Sequence, residues 1–86
     1  METDARLNSM IQVMDQLIED TSVPRNIRRG AENAKKLLLN TKDALDVRVA
    51  SAVSILDELA NDPNIPLHGR TLIWNIISGL ETIAAR

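Results

Sequence analysis

Side chains able to do acid–base, nucleophilic or metal chemistry are few in this 86-residue chain. It holds one histidine, His68, no cysteine, and 12 aspartates and glutamates. Without cysteine there is no thiolate nucleophile, no thiolate metal site and no disulfide. His68 has no second histidine at helical spacing and no Glu three residues before it, so a metal would have to rely on carboxylates alone. The adjacent pairs Glu19-Asp20 and Asp57-Glu58 point about 100° apart on a helix, so they read as solvated charges or turn caps. His68 stands beside Gly69 without a partner that would make it a base. Gly30, Gly69 and Gly79 are isolated, so no glycine-rich phosphate loop exists. No catalysis, no metal and no cofactor is the expectation.

Two features could serve binding instead. Arg25, Arg28 and Arg29 follow Pro24, where a helix should begin. Cations there oppose the helix dipole at a cost of roughly 0.3–1 kcal/mol each when exposed. Either acids such as Glu19 and Asp20 neutralise them, or they meet an external anion, which helix N-termini already attract. Arg25 and Arg29, with His68 from the opposite turn, are the candidate anion patch. The second feature is Trp74, the only aromatic residue. It lies roughly 120° from the centre of its helix's apolar stripe, among Arg70, Thr71, Ser78 and Glu81. Two readings are open: the indole stacks on Arg70, or it anchors an interface. Trp74, Arg70 and the off-stripe Leu39 form the candidate interface set.

The elements that position these residues are helices. Apolar residues recur at helical spacing almost throughout. Leu7, Met10, Ile11, Met14, Leu17 and Ile18 predict a first helix from about Asp4 to Asp20. Ser22 is the expected cap of a second, from about Val23 to Leu39, with Pro24 in its first turn. Its inward residues are Ile27, Ala31, Ala34 and Leu38, and Gly30, Ala31 and Ala34 let a neighbouring backbone come close. Thr41 is the expected cap of a third helix, whose face carries Leu45, Val49, Ala52, Val53, Leu56, Leu59 and Ala60. Pro66 opens a fourth, with Ile73, Ile76, Ile77, Leu80 and Ile83 inward. Short connections make successive helices antiparallel.

The chain also repeats itself. A shift of 42 residues places Asp4 on Asp46, Arg6 on Arg48, Asp15 on Asp57, Asp20 on Asp62, Pro24 on Pro66, Arg28 on Arg70 and Leu38 on Leu80. The shared turn reads L-x-x-D-x-x-[VI]-P-x-x-x-R, from Leu17 to Arg28 and from Leu59 to Arg70. The expected architecture is an all-α antiparallel four-helix bundle, one domain over residues 1–86, made of two duplicated hairpins, 2–42 and 43–86.

That turn resembles the turn of HEAT-type repeats, whose period is roughly 40–47 residues. The resemblance implies structural turn residues: Asp20 bracing the turn with Arg28 bonding back towards it, and Asp62 likewise with Arg70, around Pro24 and Pro66. Over nearly the whole length, the strings from Asp20 to Arg28, Leu56 to Glu58, Asp62 to Pro66 and Arg70 to Trp74 resemble a small archaeal family classed as uncharacterised, family 0147. It implies a short all-helical protein with no established activity.

Composition narrows the choice of partner. The chain is 44% hydrophobic and 26% charged, a folded composition, with a net charge of −2 that gives no global pull towards nucleic acid or anionic membrane. No apolar run approaches the ~20 residues that span a bilayer, and no signal peptide is visible. A cytoplasmic protein is expected. The first functional reading is a non-catalytic interaction module or scaffold, self-associating or binding another protein through Trp74. The alternative is a nucleic-acid- or phosphate-binding accessory factor using Arg25, Arg29, Arg70, Lys35 and Lys36.

Overall fold

The computed structural model describes residues 2–84, with side chains from residue 5 onward. Four helices follow one another: α1 (Glu2–Glu19), α2 (Arg25–Leu38), α3 (Leu45–Ala60) and α4 (Leu67–Ala84). No strand occurs among the described residues. Each helix packs on its two neighbours in a ring, α1 on α2, α2 on α3, α3 on α4 and α4 back on α1, while the backbones of the diagonal pairs stay apart. Contact between first and last helices closes an antiparallel four-helix bundle about 35 Å long and 18 Å across. An open stack of two hairpins would leave α1 and α4 apart.

The apolar stripes meet along the bundle axis. Met14, Leu17, Ile27, Leu38, Leu56, Ile73, Ile76 and Leu80 are fully buried, and no polar or charged residue joins them. Ile27, Ala31, Ala34 and Leu38 are the buried face of α2, as their spacing predicts. A Cβ on Gly30 would come within 2.5 Å of Leu59 Cδ2, so α2 and α3 approach closely where the small residues lie. Ile77, expected inward, is only half-buried, whereas Gly69 is buried against Ile65 and Leu17.

Helix starts differ from the expected ones. Ser22 does not cap α2, because its N–H and its hydroxyl both donate to Asp20 Oδ1, at 2.9 and 2.6 Å. Pro24 takes the cap position instead: its φ of −54° suits the ring, and its carbonyl accepts from Ile27 and Arg28. Thr41 does not cap α3 either. Asn40 Oδ1 accepts the Lys42 N–H at 3.2 Å, the Asn40 carbonyl accepts from Asp43, and this loop postpones the helix to Leu45, with Ala44 as cap. The start of α1 at Glu2 precedes the expected Asp4, whose side chain lies outside the described residues.

Candidate functional site

The duplicated turn builds one end of the bundle. In the first copy the Asp20 carbonyl accepts from Val23 at 3.0 Å while its carboxylate takes the Ser22 N–H. In the second the Asp62 carbonyl accepts from Ile65 at 3.2 Å and its carboxylate takes the Asn64 N–H at 2.8 Å. Each aspartate thus satisfies a backbone donor of the turn that follows its helix, and Val23 and Ile65 turn inward as plugs. Pro24 and Pro66 follow, each carbonyl accepting two N–H groups of the next helix.

The arginines do not reach these aspartates. Arg28 Nε donates to the Val23 carbonyl and Arg70 Nε to the Ala60 carbonyl, both at 3.0 Å. Arg48 Nη1 makes a related bond to the Leu38 carbonyl at 2.8 Å. Leu38 and Ala60 end their helices, where carbonyls are left unpaired and the dipole is negative, so guanidinium groups suit them. The aspartates are consequently left to bond across the bundle. His68 Nε2 lies 2.9 Å from Asp20 Oδ2, and Asn26 Nδ2 donates to Asp62 Oδ2 at 3.0 Å. Asn26 and His68 are themselves 42 residues apart, so the two bonds are one contact made twice about a pseudo-twofold axis. Hydrogen bonds from the Ser22 hydroxyl, then the Ser22 N–H, then His68 hold the Asp20 carboxyl below its ordinary value, against a small opposing effect of desolvation.

The structure therefore divides the anion-patch set. His68 is tied to Asp20 and lies 3.3 Å from the Ser22 hydroxyl. Arg25 and Arg29 are exposed, no ion pair holds them among the described residues, and α2 has no acid in its first turn. They line up with Glu32, Lys36 and Leu39 along the outer face of α2.

The interface set is divided too. Trp74 is 54% exposed, and the Arg70 guanidinium beside it is directed at α3. Leu39, 52% exposed, is the C-cap of α2, which is diagonal to α4, so it does not share a face with Trp74. Leu67, one heptad before Trp74 and 75% exposed, does share it and was not singled out by sequence. Its signal was available, since Leu67 stands 42 residues from Arg25 at the head of the equivalent stripe. Val47, also exposed, was likewise missed.

Beside this face runs a groove of about 860 Å³ between α3 and α4, lined by Val49, Val53 and Ile77 with Asp46, Asp57 and Glu81. A smaller one, about 310 Å³, lies between α1 and α4 beside Met10 and Gly79. Among the described residues no three His, Cys, Asp or Glu side chains converge to hold a metal. No helix among the described residues is long and apolar enough to cross a membrane.

The fold and surface define a small closed helical bundle with an exposed tryptophan beside an acid-lined groove. Residues 1–83 match the uncharacterised protein family UPF0147, and the chain belongs to that family. Its relatives are archaeal. A UPF0147 protein of Pyrococcus abyssi is 48% identical over 83 residues, covering 95% of this chain and 96% of its own. One from Methanosarcina acetivorans is 51% identical, covering 90% and 79%. The crystal structure of a family member from Thermoplasma acidophilum superposes with a TM-score of 0.90 at 43% identity, covering 96% of this chain and 99% of that one.

Proposed function

We propose that the protein is a non-catalytic interaction module of the cytoplasm, a rigid bundle that presents the outer face of α4. The observation that carries this reading is Trp74. The chain's only aromatic side chain is spent on the surface, 54% exposed on a helix that has ample apolar positions inside. Tryptophan is enriched among residues that dominate interface energies, and the indole here has Leu67 on the same face and an open groove alongside. Affinity capture of tagged protein from native cell extract tests the reading. Proteins retained after nuclease treatment by the wild type and lost by Trp74→Ala, with the helical circular-dichroism signal unchanged, are expected. Equal retention by both would overturn it.

A second reading rests on the outer face of α2, where Arg25, Arg29 and Lys36 are exposed in one line. Phosphate contacts by such a row bind nucleic acid with steep salt dependence. Salt-sensitive RNA or DNA binding that Arg25→Glu and Arg29→Glu abolish would favour it over the first.

A further inference from the structure

We infer that the α4 face is a self-complementary surface on which a second copy of this chain docks antiparallel, each Trp74 entering the α3–α4 groove of the other copy. The inference rests on the interaction-module reading and names its occupant.

The stripe consists of Leu67, Arg70, Trp74, Ile77, Glu81 and Ala84, alternating steps of three and four residues, the spacing of a coiled-coil seam. Arg70 to Ala60 in one direction and Ile77, Glu81 and Ala84 on the groove wall in the other place the whole stripe on the α3 side of α4. A twofold axis between Asn75 and Ile76 would set two such helices antiparallel. Arg70 then faces Glu81 of the second copy, Trp74 faces Ile77, and Leu67 faces Ala84. Each facing pair is apolar with apolar or cation with anion, as a surface that meets itself about a twofold axis requires. The register also delivers each indole to Ile77, which lines the α4 wall of the groove with Glu81 and Ala84.

Charge on the groove agrees with this occupant. Among the described residues Asp46, Asp57 and Glu81 line it without a cation, and an arginine is what the second copy brings there. The equivalent stripe of α2, namely Arg25, Arg28, Glu32, Lys35 and Leu39, lacks this property, because three cations stand against one acid. Of these two equivalent stripes, that of α4 is the self-complementary one. The face is one helix wide, so the interface belongs at the small end of stable dimers and its association should be readily reversible.

Sedimentation and Trp74 emission, read over concentrations from about 1 μM to about 1 mM, test the inference. A single tryptophan makes the fluorescence report on this face alone. Doubling of mass with a parallel blue shift of emission is expected, and Trp74→Ala should remain monomeric with its helical signal intact. Glu81→Arg and Arg70→Glu should each weaken self-association at least tenfold, by setting like charges against each other. An equimolar mixture of those two variants should recover it, because every facing pair is again opposite in charge. Should Arg70→Glu fail to fold, Glu81→Lys mixed with wild type gives the graded result instead, with one of two ion pairs restored. A protein that stays monomeric throughout, or a dimer indifferent to these changes, overturns the docking proposed here. A monomer that still captures another protein in a Trp74-dependent way leaves the interaction reading standing with a different occupant; a monomer that captures nothing sinks both.

Discussion

Between α1 and α2, the Lys35 ammonium reaches Asp15 at 2.7 Å. At the matching place between α3 and α4 the aspartate is kept, as Asp57, but Ile77 stands where Lys35 would be. The first hairpin thus closes its seam with an ion pair, while the second leaves an open groove with the carboxylate on its wall. The same division runs along the outer faces: Arg25, Arg29, Glu32 and Lys36 on α2 correspond to Leu67, Thr71, Trp74 and Ser78 on α4. The aspartate, proline and arginine of the two turns are alike, and the positions that meet the outside differ. Residues bound by internal geometry resist change, whereas the outward stripe is free to acquire two surfaces of different chemistry.

Disrupting the framework common to both hairpins should have the largest effect. Ala34 is fully buried on the inward face of α2, with Ile76 as its counterpart. Ala34→Glu places an unpaired carboxylate there, at a cost of several kcal/mol, and should abolish the cooperative thermal transition seen by circular dichroism. A folded variant would show that α2 can rotate within the ring.

Exchanging the seam residues should matter less to stability and more to behaviour. Lys35→Ile removes a half-exposed ion pair worth about 0.2–1 kcal/mol by urea denaturation. Ile77→Lys offers Asp57 the partner that Asp15 already has. It should leave the fold intact and close the groove, so that self-association is lost; unchanged association would mean that the groove takes no part in it.

The smallest effect concerns the turns. The Asp20 carboxyl is held below its ordinary value of 3.8 by Ser22 and His68. A depressed carboxyl adds stability above its unfolded value, and that increment disappears as pH falls through the lower folded value. The stability gap between wild type and Asp20→Asn should therefore be present above about pH 4 and narrow as pH falls below it. A gap that does not change across this range would show that Ser22 and His68 do not select the charged form.

How much of this was legible in the sequence follows from the range of each interaction. Burial on α2 was readable because helical periodicity is local, and all four predicted inward residues are buried. The expected caps at Ser22 and Thr41 fail for a common reason: a neighbouring side chain organises the loop ahead of the helix. Asp20 took both groups of Ser22, and Asn40 organised the loop around Thr41. The arginines of the turn were expected on aspartates because charge is visible in sequence, whereas every residue carries a carbonyl, so nothing in the sequence marks those of Val23 and Ala60 as the acceptors. The groove depends on two helices facing each other, yet a trace of it was present. Asp15 and Asp57 matched under the repeat while Lys35 and Ile77 did not. Leu39 was grouped with Trp74 because distance across the ring is invisible until the ring closes.

The paired bonds from His68 to Asp20 and from Asn26 to Asp62 have a kinetic consequence. Two free hairpins making the same contacts would have to find each other by diffusion, and their assembly would dissolve on dilution. Tethered through residues 39–44, the two halves experience an effective concentration in the millimolar range for a short flexible linker. Formation of the ring is then a first-order event, indifferent to how many molecules the cell contains. A protein freed from that dependence can let its abundance govern what gathers on its outer faces.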